Sequence, residues 1–226
     1  MNNKRTALIV GATGLIGGYC VRQALASDLY SEVIVLGRRK LNLAHSRLIQ
    51  IVGDLSDSGA LLKDYSVNDV YCCLGTTIKK AKTKSAFKKV DLEYPLSIAR
   101  IMREQGADHF CVVSAAGANA NSRFFYNRVK GELEKALGSL EYPFLTIMRP
   151  SLLTGDRGEY RLGESVSNAV GAFIKPLMKG VLLEVSPVEA ERVARVMIKE
   201  SEKLADGLRY QNILVIKSRQ IQEYNF

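Results

Sequence analysis

The sequence predicts a doubly wound α/β fold, one parallel sheet with helices on both faces. Three observations lead there. Short β-rich apolar runs alternate with amphipathic stretches of helical period along nearly the whole chain. A glycine-rich turn joins the first such run to the first helical stretch. The length of 226 residues suits one sizeable domain with a buried core and is short for two.

Strands are expected near residues 5–10, 32–36, 47–51, 69–74, 109–114 and 144–148, with a later one near 211–216. Helices are expected near 15–26, 85–105, 124–138, 166–178 and 187–203. The first strand is the apolar run Ala7 to Val10, and Ile16, Cys20 and Leu25 space the apolar side of the helix after it. Phe125, Val129, Leu133 and Leu137 form a core stripe, so Tyr126 and Lys130 fall at the edge of that helix. Ser186-Pro187-Val188-Glu189 reads as a helix start whose core face is Val193, Met197 and Ile198. After Pro150 the alternation loosens from Leu153 to Glu164, where substrate loops commonly sit. The expectation is therefore a single domain, 1–226, in which residues from about 151 to 190 form a small C-terminal substrate-side lobe.

The apolar run after Lys4 and Arg5 is too short for a signal peptide or a membrane span. Cys20, Cys72, Cys73 and Cys111 lie in apolar stretches without metal-ligand spacing, which predicts buried free thiols and a reducing, cytoplasmic setting. His45 and His109 stand alone in the sequence, so neither is expected as a base or ligand, and no metal site is expected. The formal charge of +9 is spread along the chain without a nucleic-acid motif, so no nucleic-acid partner is expected. Its densest cluster, Lys79, Lys80, Lys82, Lys84, Lys88 and Lys89, reads as a solvated face, with attraction of a polyanionic cofactor as the alternative. Arg157 and Arg161 read as solvated in the same way.

Gly11-Ala12-Thr13-Gly14-Leu15-Ile16-Gly17 lies between a strand and a helix, where glycines allow a tight turn and close approach to a pyrophosphate. The helix N-terminus then offers free amides to the phosphates. This is the dinucleotide site of a Rossmann fold, with Gly11, Thr13, Gly14, Leu15, Ile16 and Gly17 as cofactor contacts. The second strand ends in Gly37-Arg38-Arg39-Lys40, where an NAD-specific site would carry a carboxylate for the ribose 2′-hydroxyl. Arg38 and Arg39 suit a 2′-phosphate instead, so NADP(H) is expected over NAD(H). Asp54 and Leu55 follow the third strand near the expected adenine, although an aspartate there is also a common turn cap. Leu74, Gly75 and Thr76 close the fourth strand, and Pro150 and Leu152 follow the sixth where backbone could meet the nicotinamide.

Ser114 ends the fifth strand, and Tyr126 and Lys130 stand at i and i+4 on the next helix. Carbonyl reduction needs an acid for the developing alkoxide, and a tyrosine with its pKa lowered by a nearby ammonium serves at neutral pH. Lys130 could also bond the nicotinamide ribose, and Ser114 could donate to the substrate carbonyl.

Through Gly11-x-x-Gly14-x-x-Gly17, Ser114, Tyr126-x-x-x-Lys130 and Arg149-Pro150, nearly the whole chain resembles the atypical short-chain dehydrogenase/reductase superfamily. More narrowly it is similar to the family of the human Tat-interacting tumour-suppressor oxidoreductase. The matching segments are Leu36 to Leu41, Cys72 to Thr77, Val90-Asp91 and Tyr126 through Glu132. The resemblance implies NADPH held by the glycine loop with Arg38 and Arg39, and catalysis by Ser114, Tyr126 and Lys130. It implies no particular substrate.

Many superfamily members carry an asparagine whose backbone carbonyl joins a proton relay, and the equivalent position here is Asp91. Pro95 has no amide hydrogen for a carbonyl four residues earlier, so the Asp91 carbonyl is expected to be free and to hold a relay water; the other reading places Pro95 harmlessly in a first helical turn. Three functions follow in order: an NADP(H)-dependent reductase of a small carbonyl compound, a redox-sensing NADP(H)-binding protein, and a semialdehyde dehydrogenase needing a nucleophilic cysteine. A small-molecule substrate is the expected partner, and a homodimer is left open.

Overall fold

The computed structural model describes residues 4–155 and 187–226. Strand β1 (Arg5–Val10) shows why its sheet is covered on both sides. Ala7 and Ile9 enter one apolar layer while Leu8 and Val10 enter the other, all fully buried.

From β1 the chain runs through α1 (Leu15–Ala26), β2 (Tyr30–Gly37), β3 (Leu48–Val52), α2 (Ser58–Leu62), β4 (Asp69–Cys72), α3 (Ile78–Ala81), α4 (Lys84–Lys88) and α5 (Tyr94–Glu104). It continues through β5 (His109–Val113), α6 (Phe125–Gly138), β6 (Phe144–Arg149), β7 (Leu153–Thr154), β8 (Val188–Glu189), α7 (Ala190–Ala205), β9 (Ile213–Lys217) and α8 (Ser218–Gln222). The main sheet has the order β3-β2-β1-β4-β5-β6-β9, every pairing parallel. Helices α1 and α7 cover one face, and α2, α5 and α6 cover the other. The expected doubly wound Rossmann-type sheet is present. Its order reverses between β1 and β4, so a crevice opens at their C-terminal ends.

Several boundaries differ from the sequence reading for local reasons. The helix expected over 85–105 is α4, a π turn over Lys89–Glu93, and α5, with Pro95 in the first turn of α5. Helices α2, α3 and α8 span four or five residues, too few to show a helical period. Helix α7 begins at Ala190 because Val188 and Glu189 pair with Leu153 and Thr154 in a second, two-stranded sheet. The helix expected at 166–178, Arg157, Arg161, Ser186 and most of the substrate-side lobe lie outside the described residues.

His109 is the clearest correction to the sequence reading. It is fully buried, with Nδ1 3.1 Å from Asp69 Oδ1 and 3.0 Å from Ser201 Oγ, and Nε2 2.8 Å from Thr146 Oγ1. Arg5 Nε donates to Asp69 Oδ2 at 2.7 Å, and the Tyr30 hydroxyl donates to the same oxygen at 3.1 Å. A buried polar group costs little only when bonded, so strands β1, β2, β4, β5 and β6 and helix α7 share one satisfied network here. Burial lowers the His109 pKa and outweighs Asp69, which keeps the imidazole neutral near pH 7. Burial raises Asp69, but His109 and Arg5 outweigh it and hold the carboxylate below its ordinary value.

Candidate functional site

The glycine turn between β1 and α1 is shaped by close backbone contact. Gly11 has φ +86°, and a Cβ there would stand 2.6 Å from the Cys73 carbonyl oxygen at the end of β4. A Cβ on Gly17 would stand 2.2 Å from the Gly11 oxygen, and Gly14 N–H donates to that oxygen at 2.9 Å. No side chain caps α1 and no acidic residue stands in its first turn, so its leading amides remain for an anion. Thr13 and Gly14 are exposed at the turn, Leu15 is half-buried, and Ile16 and Gly17 are buried. The Ile16 side chain therefore belongs to the core.

Arg38, Arg39 and Lys40 are exposed past the end of β2, and no ion pair or hydrogen bond of theirs occurs among the described residues. Asp54 acts as a cap: its Oδ1 accepts the Ser56 N–H at 2.9 Å and the Ser56 hydroxyl at 2.8 Å. Those bonds, then the charges of Lys89 and Arg38, lower its pKa despite a small opposing desolvation. One oxygen of the carboxylate expected to meet adenine is thus committed to the turn. Leu55 is buried, Leu74 half-buried and Gly75 exposed. Pro150 is buried, and its carbonyl accepts the Ala116 N–H at 2.9 Å. Leu152, half-buried, is tied to β8 by accepting the Val188 N–H at 2.8 Å.

Helix α6 carries three polar residues on one stripe, Tyr126, Lys130 and Glu134, each four residues apart, beside the buried stripe Val129, Leu133 and Leu137. Phe125 is only half-buried, so the core stripe begins at Val129. The helix sits close to the loop after β5, since a Cβ on Gly131 would stand 2.1 Å from the Ala120 nitrogen. Lys130 is 3% exposed rather than at an open edge, and its Nζ lies 2.9 Å from Asp91 Oδ1. It also lies 3.5 Å from the Val113 carbonyl oxygen. Asp91 Oδ2 accepts the Thr76 N–H at 2.8 Å. Asp91 therefore meets Lys130 through its carboxylate, not through the carbonyl that the sequence reading invoked.

Ser114 is placed differently from the expectation. Its hydroxyl donates to Glu134 Oε1 at 2.5 Å, and Arg149 holds the same carboxylate through Nε at 3.0 Å and Nη2 at 2.5 Å. A serine has one proton to donate, so this donor is occupied. Sequence reasoning missed Glu134, although its spacing of four from Lys130 was visible.

The electrostatics of Tyr126 also depart from expectation. Its ring packs against Phe87 at 5.7 Å, and 37% of its surface remains exposed. Desolvation raises its pKa; Lys130 pulls it down, Asp91 pushes it up, and the balance lies above the ordinary tyrosine value. Burial lowers Lys130, but Asp91 and Tyr126 outweigh it and keep the ammonium protonated. Burial leaves Asp91 above the usual carboxylate value despite Lys130.

Cys20, Cys72 and Cys111 are buried and Cys73 is half-buried, all as free thiols. Burial pushes the Cys72 pKa up to about 12 and raises those of Cys20 and Cys111 well above the ordinary value. Among the described residues no cluster suits a metal ion, and no helix is long and apolar enough to cross a membrane.

A protein-family model described as NAD(P)H-binding matches residues 11–200. Protein HTATIP2 of Rattus norvegicus is 37% identical over 168 residues, covering 73% of this chain and 69% of that protein. Protein FMP52, mitochondrial, of Candida albicans is 33% identical over 217 residues, covering 93% and 94%. A short chain dehydrogenase family protein from Francisella tularensis superposes with TM-score 0.68 at 12% identity, covering 97% of this chain and 100% of that one. A UDP-glucose 4-epimerase from Thermotoga maritima gives TM-score 0.67 at 18% identity, covering 87% and 73%. These two likenesses concern the fold alone. By its match to the family model and to both relatives, the chain belongs to the NAD(P)H-binding family, as an atypical short-chain dehydrogenase/reductase relative of HTATIP2 and FMP52.

Proposed function

We propose that the protein is an NADP(H)-dependent oxidoreductase that transfers hydride to or from a small carbonyl or alcohol compound. One observation carries this reading. Lys130, four residues after Tyr126 on α6, reaches the turn after β4 that packs against the glycine cradle: a Cβ on Gly75 would stand 3.9 Å from Lys130 Nζ, and one on Gly11 would stand 2.9 Å from the Leu74 nitrogen. The cradle itself fits a dinucleotide, because Gly11 and Gly17 let the turn fold tightly against Cys73 and against itself at the uncapped start of α1. Gly11, Thr13, Gly14 and the leading amides of α1 would hold the pyrophosphate, and Arg38 and Arg39 the 2′-phosphate.

The dinucleotide, when bound, supplies or accepts the hydride. Tyr126 gives its phenolic proton to the carbonyl oxygen in reduction and takes it back in oxidation. Its raised pKa keeps the phenol protonated through neutral pH, so the proton is in place for reduction, although a phenol shifted in this direction gives it up less readily. Lys130 steadies the phenolate as it forms. The Ser114 hydroxyl is taken by Glu134, which also holds Arg149, so the substrate oxygen relies on Tyr126 for its hydrogen bond.

Thermal-shift titration with NADPH, NADP, NADH and NAD tests the cofactor, and a carbonyl panel followed at the nicotinamide absorbance tests the chemistry. NADPH should give the largest shift, and Tyr126→Phe should stop turnover without losing that shift. A clear NADH preference would overturn the argument from Arg38 and Arg39.

The second reading is an NADP(H)-binding regulatory protein with little turnover, favoured by the pairing of Lys130 with Asp91. In that case Tyr126→Phe leaves the biological effect intact while Gly14→Asp abolishes it. The semialdehyde dehydrogenase reading fares worse, since the buried thiols have pKa values shifted away from thiolate. The free cysteines support a reducing, cytoplasmic setting.

A further inference from the structure

The π turn over Lys89–Glu93 brings Asp91 to the inner side of the helix, where it is fully buried. A buried carboxylate needs partners, and Asp91 has two that belong to different parts of the site. Oδ2 takes the Thr76 N–H in the turn after β4, and Oδ1 faces Lys130 on α6 at 2.9 Å. Oδ1 accepts no aligned hydrogen bond, so charge is its main tie to the ammonium. Gly75 closes over the pair, with a Cβ built there 3.5 Å from Oδ1 and 3.9 Å from Nζ. One side chain therefore joins the cofactor-side turn to the catalytic helix.

We propose that the Asp91 carboxylate is a positioning residue, which fixes Lys130 beneath the crevice and limits how far its positive charge reaches Tyr126. The inference rests on the reductase reading for its meaning in turnover, although the arrangement itself needs no bound cofactor. Lys130 and Asp91 are the charged groups that act on the Tyr126 phenol, with Phe87 supplying an apolar wall. Cys72 also acts on Lys130. Removing the negative charge takes away the direct repulsion between Asp91 and tyrosinate, and while Lys130 stays protonated its ammonium acts on the phenol uncompensated. Tyrosinate then forms more readily.

The test is an NMR pH titration of the unliganded full chain labelled with ζ-13C tyrosine, the Tyr126 signal being assigned with Tyr126→Phe. Asp91→Asn keeps the size and an acceptor for Thr76 N–H while removing the charge. Its Tyr126 transition should move to lower pH than in the wild type, and Asp91→Glu should return it toward the wild-type position. A Tyr126 transition unchanged in Asp91→Asn would overturn the proposal. If Asp91→Asn does not fold, Lys130→Met is compared with Lys130→Met/Asp91→Asn, in which no ammonium is left unpaired. The phenol should titrate at lower pH in the double variant, and coincident curves would sink the idea. Thermal-shift titration of the wild type with NADPH separates the two claims. A flat response overturns the reductase reading, while the tyrosine curves still decide the role of Asp91.

Discussion

A Cβ on Gly17 would stand 2.2 Å from the carbonyl oxygen of Gly11, whereas one on the next residue, Gly18, would stand 3.5 Å from the nearest atom, the Ala12 oxygen. Two neighbouring glycines of one helix therefore have opposite tolerance. Gly17→Ala should cost about 1–3 kcal/mol of stability through overpacking and remove the NADPH thermal shift. Gly18→Ala should keep the shift and gain up to ~1 kcal/mol from helix propensity. Chemical denaturation and cofactor titration of both variants check this; equal behaviour would show that the turn is not held by that contact.

Cofactor choice should depend on the exposed guanidiniums after β2. A hydrogen bond between charged groups contributes about 1.5–3 kcal/mol, so Arg38→Ala or Arg39→Ala should weaken NADPH binding by roughly 10- to 100-fold. NADH binding should change little. Fluorescence titrations with both dinucleotides would expose the error if the two lost affinity together.

Ser114 should behave as a brace rather than a donor to substrate. Ser114→Ala is expected to cost about 1 kcal/mol, the usual net worth of a hydrogen bond. Once a substrate is known, turnover should fall by less than about tenfold, against the ~100- to 1000-fold of a lost oxyanion donor. Glu134→Ala should cost more, about 1–3 kcal/mol, because it strands both Ser114 and the partly exposed Arg149. A collapse of turnover in Ser114→Ala would return the serine to the substrate carbonyl.

Acid should destabilise the protein from an early point. His109 has a folded pKa below 6.5, so the unfolded chain binds its proton first and stability declines as pH falls below 6.5. Asp69, held below 3.8, adds a second loss as pH falls through that value toward its folded one. Melting temperatures measured from pH 7.5 to 3 should fall in both ranges. His109→Gln should lower stability at neutral pH and flatten the upper part of the decline. A curve level down to pH 4.5 in the wild type would contradict this account.

Much of the site was legible because its logic is local. Gly11 to Gly17 and Arg38-Arg39 suggest their proposed roles through position after a strand, and Tyr126 and Lys130 through a spacing of four. What escaped depends on contacts distant in sequence. His109 looked solitary because Asp69, Thr146 and Ser201 are 37 to 92 residues away. Ser114 looked available because Glu134 and Arg149 come to it only when α6 and β6 pack. Asp91 was placed correctly on its helix, yet the sequence pointed to its carbonyl. A π turn, which decides where the carboxylate faces, leaves no periodic trace in five residues.

That turn makes the site sensitive to chain length as well as to side-chain identity. In an α-helix each residue advances the winding by ~100°, so deleting Leu92, between Asp91 and α5, would swing Asp91 relative to α5 by about that angle. The carboxylate would leave the interior although every functional residue remained in the chain. Relatives whose sequences align residue for residue elsewhere could thus differ in how they hold the lysine through a single gap in this helix.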